Sequence, residues 1–157
     1  MLKTDTLKRT MRGLLQKVTE AAVRVSGEEI GRIGPGLLVF LGVLKGDTEE
    51  DAKWLAEKIG KLRLWDGSDG TINQRNVSEI NGSLLVISQF TLAGDVSKGN
   101  RPDYTAAMEP AGAEKLYNLF IQHCHALGVP VAEGRFGASM EITLTNDGPV
   151  TLLVERP

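Results

Sequence analysis

The sequence predicts an α+β domain: a curved or barrel-like, mainly antiparallel β-sheet with two flanking helices packed outside it. Three observations carry that reading. Apolar residues recur at helical spacing in only two stretches, one following Gly46 and one between Pro110 and Gly128. Short apolar runs separated by Gly, Pro, Asn and Asp fill most of the remainder, and each has the length of a strand. Four of those runs precede the first helix and are divided by tight turns, the pattern of strands paired with their neighbours.

Taken in order, Leu14–Val18 and Ala21–Val25 read as two short strands, and Ser26-Gly27-Glu28 as a turn into a weaker strand, Glu29–Ile33. After Gly34-Pro35-Gly36, the run Leu37–Val43 is apolar on both faces and predicts a central strand covered from two sides. Thr48 is a good N-cap for the first helix, and Asp51, three residues on, completes a capping box. Ala52, Leu55, Ala56, Ile59 and Leu62 form its apolar stripe; Trp54 lies off that stripe, with packing favoured over an interface. Leu62–Trp65 alternates like a strand, Asp66–Gly70 turns, and Thr71–Asn73 follows as a short extended piece. Ser83–Ile87 is a buried strand entered through Asn81-Gly82. Gly94–Tyr104 has no period and reads as a functional or flexible loop. Pro110 suits the first turn of the second helix, Gly128 and Pro130 end it, and Ala113, Leu116, Tyr117, Phe120 and Cys124 supply its buried side. Val129–Ala132 and Met140–Thr145 are strands, Asn146–Pro149 turns, and Val150–Val154 closes the fold.

Composition bounds the function. With 157 residues and 41% hydrophobic content, residues 11–157 suffice for a single domain with its own core. Residues 1–10 are polar, lack the apolar segment of a secretory signal, and read as an N-terminal extension. The one cysteine, Cys124, forms no internal disulfide, and no apolar stretch reaches the roughly 20 residues of a membrane span. A reducing cytoplasm is the expected home. Net charge is −2; the first ten residues carry +2, which leaves −4 on the rest. Such a surface does not grip long stretches of phosphate backbone, so any nucleic acid is expected to be touched over a small area.

Function is expected at SQFTLA, Ser88 to Ala93, where an apolar strand ends in polar groups and opens into the long loop. Ordinary catalytic equipment is missing around it. His123 and His125 flank Cys124 on one helix, yet residues two apart point to different sides, whereas helical zinc pairs sit four apart. Neither a Gly-rich phosphate loop nor a nucleophile elbow occurs, and Glu49-Glu50-Asp51 suits a helix N-terminus without any catalytic role. No metal and no cofactor are expected. What remains is an activated bond, a backbone oxyanion site and a nucleophile brought with the substrate.

SQFTLA together with NDGPVT (Asn146 to Thr151) resembles the D-aminoacyl-tRNA deacylase family, also called D-tyrosyl-tRNA deacylase. The similarity extends from about Met11 to the C-terminus through GLLVFLGV (Gly36 to Val43), NRPDY (Asn100 to Tyr104) and GRFGASM (Gly134 to Met140). The resemblance implies a homodimer that hydrolyses the ester joining a D-amino acid, or glycine, to the 3′ end of tRNA, and rejects L-aminoacyl-tRNA. Ser88, Gln89, Phe90 and Thr91 would line the aminoacyl and adenosine pocket, with backbone N–H groups near Phe90 and Thr91 facing the carbonyl, and Ala107 and Met140 shaping it. Gly148-Pro149 matches a Gly-cisPro motif that reaches into the partner subunit's site. Thr91 as a side-chain nucleophile is the alternative mechanism. A second function class is a noncatalytic nucleic-acid-binding dimer, with Lys8, Arg9, Arg12 and Lys17 as a basic arm. Two positions depart from the family pattern: Lys17 where arginine is usual beneath the Gly-Pro turn, and Ile72 where methionine is common, expected to be a core exchange.

Overall fold

One long strand organises the sheet. In the computed structural model, which describes residues 10–157, β1 (Arg12–Val25) runs 14 residues without interruption. Its first half pairs with β3 (Gly36–Gly42), its second half with β2 (Glu28–Ile33), and its other edge along most of its length with β6 (Glu141–Glu155). The two strands expected over residues 14–25 are therefore one. Thr19 and Glu20 interrupt the apolar pattern because they are exposed, and the register with β6 shifts on both sides of Val18.

The same correction applies at the C-terminus. Asn146–Pro149 is no hairpin turn between two strands but a bulge inside β6. Asn146 pairs with Val18 and Thr151 with Gln16, so Asp147, Gly148, Pro149 and Val150 all lie opposite Lys17 alone. The bulge is pinched at its base by the Asn146 amide, whose Nδ2 donates to the carbonyls of Lys17 and Val150 at 3.0 Å each.

Beyond β3 the sheet continues through β4 (Ser83–Ser88) to β5 (Val131–Glu133), both joined in parallel. The expectation of a mainly antiparallel sheet holds for the β1 pairings but not here: the sheet is mixed. Parallel neighbours need a crossover, and α1 (Glu49–Lys61) and α2 (Pro110–Ala126) supply the two crossovers. β2 lies against β4 and β5, which nearly closes the sheet into a barrel.

The central β3 separates two cores, as its two-sided apolarity predicts. Leu37, Val39 and Leu41 face α1 and α2 with Leu55, Ile59, Tyr117 and Phe120; Leu38 faces the barrel interior with Val18, Val23, Ile33, Leu85 and Ile87. Burying each large side chain contributes about 1.5–3 kcal/mol. Trp54 is half-buried and packs on the helical core, the favoured reading. The capping box of α1 is formed: Asp51 N–H donates to Thr48 Oγ1 at 3.3 Å, and Thr48 N–H to Asp51 Oδ2 at 2.8 Å. Arg156 reaches Asp51 at 3.0 Å, and buried Thr10 donates to the Arg156 carbonyl at 3.0 Å, tying both ends of the described chain to that helix start. The expected extension, apart from Thr10, lies outside the described residues.

Leu62–Trp65 forms no strand; only an isolated bridge joins Trp65 to Arg75. Ile72 is 70% exposed, so it belongs to no core and the expected exchange there is a surface one. No helix among the described residues is long and apolar enough to cross a membrane.

Candidate active site

At the end of β4 the chain turns sharply. Gln89 N–H donates to the Leu41 carbonyl at 2.8 Å, and a 3₁₀ turn, Phe90–Ala93, follows, closed by Leu92 N–H to Gln89 O at 3.2 Å and Gly94 N–H to Thr91 O at 2.9 Å. The first N–H groups of a helical turn lack partners within it. Here those of Phe90 and Thr91 donate to no acceptor among the described residues. Two adjacent, unpaired main-chain donors therefore stand at the exit of a rigid strand.

Beside this turn is a cavity of about 570 Å³. Ser88, Gln89 and Phe90 form one wall, Ala107, Met108 and Ala113 a second, and Phe136, Ala138, Met140 and Ile142 a third. The second wall is stitched to the end of β3, since Met108 N–H donates to Val43 O at 3.0 Å and Lys45 N–H to Ala106 O at 2.9 Å. Met140 enters over Gly134, where a Cβ would stand 2.6 Å from its Sδ. At the mouth, Phe90 and Tyr104 meet edge to face, centroids 5.4 Å apart, and both remain substantially exposed.

Of the residues expected at the site, Ser88, Gln89, Phe90, Ala107 and Met140 thus surround one cavity. Thr91, Gly148 and Pro149 do not line it. The Thr91 hydroxyl accepts a 2.6 Å hydrogen bond from Gln89 Nε2. Gly148 and Pro149 are exposed on the β6 bulge, and the peptide bond between them is cis, as the resemblance implies. Sequence reasoning did not assign Tyr104, Met108, Phe136 or Ile142. Tyr104 and Phe136 stood within the quoted NRPDY and GRFGASM segments; Met108 and Ile142 carried no local signal beyond apolarity.

Acid-base groups are scarce. Among the described residues, Tyr104 and Glu109 are the only titratable ones lining the cavity, and Glu109 Oε1 accepts the Gly112 N–H at 2.9 Å as the cap of α2. Cys124 is buried in the helical core, which pushes its thiol up to about 12 and leaves it protonated at neutral pH. Neither His123 nor His125 reaches the cavity. No cluster of three His, Cys, Asp or Glu side chains able to hold a metal exists among the described residues.

A family described as D-Tyr-tRNA(Tyr) deacylase matches residues 14–155. The chain belongs to that family. Over 145 residues it is 50% identical to a D-aminoacyl-tRNA deacylase of Cereibacter sphaeroides, covering 92% of this chain and 99% of the relative. It is likewise 50% identical, with the same coverage, to a D-aminoacyl-tRNA deacylase of Halalkalibacterium halodurans. A solved structure titled c-Myc DNA Unwinding Element Binding Protein superposes with a TM-score of 0.87 at 37% identity, covering 93% of this chain and 99% of that one. The structure of a probable eukaryotic D-amino acid tRNA deacylase gives a TM-score of 0.80 at 19% identity over 93% and 99%, a likeness of fold.

In this D-Tyr-tRNA(Tyr) deacylase family member the residue opposite the Gly-Pro bulge is Lys17, where the resemblance leads one to expect arginine. Its ammonium lies 3.6 Å from Asp147 Oδ2 and 5.5 Å from the centroid of the Trp65 ring, and its side chain is only 15% exposed. An ammonium has no planar fork, so a carboxylate and an aromatic face hold it in place of two parallel hydrogen bonds.

Proposed function

We propose that the protein hydrolyses the ester of D-aminoacyl-tRNA, and of glycyl-tRNA formed by mischarging, and spares L-aminoacyl-tRNA. The observation that carries this reading is the pair of unpaired N–H groups at Phe90 and Thr91 beside a cavity almost without acid-base side chains. The ester carbonyl oxygen takes those two hydrogen bonds, which strengthen as negative charge develops on it. Water adds to the carbonyl carbon, the bond to the ribose oxygen breaks, and the water proton ends on that oxygen. The neighbouring 2′-hydroxyl of the terminal adenosine assists the proton's passage. Side chains position; no metal and no cofactor take part. Thr91 contributes its backbone rather than a nucleophilic oxygen, in keeping with the engaged hydroxyl.

Handedness is selected by a second turn. In a homodimer, the main-chain carbonyls of Gly148-Pro149 from one subunit hold the α-amino group in the other subunit's cavity, so that an L side chain collides and a D side chain or a hydrogen does not. This arrangement is supported by the position of the bulge, exposed and outside its own chain's cavity. The outer edge of β6 pairs with no strand among the described residues, and Leu152 and Leu153 beside it are 39% and 54% exposed, an apolar edge suited to a second copy. The enzyme works in the cytoplasm, where charged tRNA is found.

The alternative of a nucleic-acid-binding module with a basic arm loses two of its four cations: Arg12 pairs with Glu155 and Lys17 with Asp147. Lys8 and Arg9 lie outside the described residues. Incubation with D-tyrosyl-, L-tyrosyl- and glycyl-tRNA in excess EDTA tests the proposal. The D and glycyl esters are expected to be hydrolysed at least about 100-fold faster than the L ester, the order of discrimination that a misfitting group imposes on a shaped site. Equal rates for D and L, or loss of activity with the chelator, would contradict it.

A further inference from the structure

We infer that Arg12 is a positioning residue for the deacylation, a cation on β1 that clamps the far end of the 3₁₀ turn and so aims the Phe90 and Thr91 N–H groups. The inference rests on the proposal that those two N–H groups hold the ester carbonyl. A short helical turn leaves its last carbonyls unpaired as well as its first N–H groups. In this turn Leu92 O is met by Arg12 Nη1, a charge-assisted hydrogen bond that spans 80 residues of sequence.

The surroundings fit a clamp better than a surface charge. The Arg12 side chain is 19% exposed, and its Nε is buried, makes no hydrogen bond among the described residues, and lies 3.6 Å from Glu155 Oε2. Glu155 is the cross-strand partner of Arg12 on β6 and holds the guanidinium from the side away from β3. On the β3 side the cross-strand partner is Gly42. A Cβ on Gly42 would stand 2.8 Å from Leu92 Cβ and 3.3 Å from Gln89 O, so the turn sits directly on that glycine. The Leu41 carbonyl at Gln89 N–H, contact with Gly42 and Arg12 at Leu92 O hold the turn against β1 and β3, with Ala93 buried beneath it and Phe90 against Tyr104. Arg12 supplies the side-chain hydrogen bond that reaches the turn from another element among the described residues, and that bond fixes the turn's last peptide plane. Without it the Leu92–Ala93 peptide plane loses its hydrogen-bond restraint, and the Phe90 and Thr91 N–H groups on the same turn shift off the carbonyl oxygen.

Arg12→Met keeps most of the apolar stem and removes the donor; Arg12→Lys keeps a cationic donor. With D-tyrosyl-tRNA, Arg12→Met is expected to lower kcat about 10–100-fold with KM within about twofold, the scale of a misplacement near 1 Å. Arg12→Lys is expected to stay within about fivefold of the wild type, and both variants to melt within a few degrees of each other. In ¹⁵N spectra of the free protein, the Phe90 and Thr91 amide resonances should move in Arg12→Met and stay near their wild-type positions in Arg12→Lys. Wild-type kcat in Arg12→Met, an equal loss in both variants that tracks a fall in melting temperature, or unmoved Phe90 and Thr91 resonances would overturn the clamp. If the wild type itself left D-tyrosyl-tRNA intact, the proposed function would fail, while the amide resonances would still decide whether Arg12 holds the turn.

Discussion

Ala107→Trp is expected to leave the fold intact and to lower kcat/KM for D-tyrosyl-tRNA by at least about 100-fold, because a displaced substrate loses most of the benefit of orientation. Ala107 lines the cavity beside the unpaired N–H groups and is half-buried, so an indole there grows into space that a substrate needs rather than into the core. Its backbone is fixed independently: Ala107 N–H donates to Tyr104 O at 3.0 Å, and an isolated bridge joins the residue to Leu44. The main chain therefore holds while the side chain fills the cavity. An unchanged melting temperature with lost hydrolysis is the expected pair of results. Wild-type turnover by a folded Ala107→Trp protein would place the reaction outside this cavity.

Gly148→Trp should act as strongly by a different route. Gly148 is exposed, and the nearest atom to an added Cβ is Asn146 Oδ1 at 3.5 Å, ordinary van der Waals contact, so the chain tolerates the side chain within one subunit. Its own cavity is untouched, since neither Gly148 nor Pro149 lines it. If the bulge enters the partner subunit's cavity, an indole on it blocks entry, and D-tyrosyl-tRNA hydrolysis should fall at least about 100-fold with the monomer's fold preserved. Steady-state kinetics with a circular-dichroism melt checks both parts; full activity would show that the bulge stays outside every site.

Why some of this was legible in the sequence, and some not, follows from the range of the interactions. The start of α1 was readable because Thr48 and Asp51 cap within one turn, and the exit of β4 because polar residues abruptly follow an apolar run. β1 and β6 were each divided in two for a related reason. Thr19-Glu20 and Asn146–Pro149 have the local chemistry of turns, but the backbone pairing on either side continues, and a bulge accommodates the extra residues. Whether a break in pattern is a turn or a bulge depends on the strand opposite, which a local reading does not contain. The parallel pairing of β3, β4 and β5 was implicit in the helices between them, yet the short turns of the first forty residues dominated the expectation.

At the site, the turn was legible where polar residues end an apolar run, while Ala107 and Met140 came with the family resemblance. The third wall needed tertiary structure, because Phe136 is brought to Ala113 only by the packing of the segment after β5 over α2, where its ring lies 5.9 Å from that of Tyr117. Arg12 entered the sequence reading only in the alternative of a basic arm, because Leu92 and Glu155 are distant in sequence and adjacent only in the fold.

The central claim is that main-chain groups from two turns, one on each of two chains, assemble every site. Mixing the two blocked variants measures this directly. Differently tagged Ala107→Trp and Gly148→Trp chains are combined, the doubly tagged species is purified, and its hydrolysis of D-tyrosyl-tRNA is followed. A mixed dimer pairs the open cavity of the Gly148→Trp chain with the unaltered bulge of the Ala107→Trp chain, so activity should return, up to about one working site per dimer. Activity no higher than that of either parent in a purified mixed dimer would contradict the account, and so would failure of the chains to associate at all.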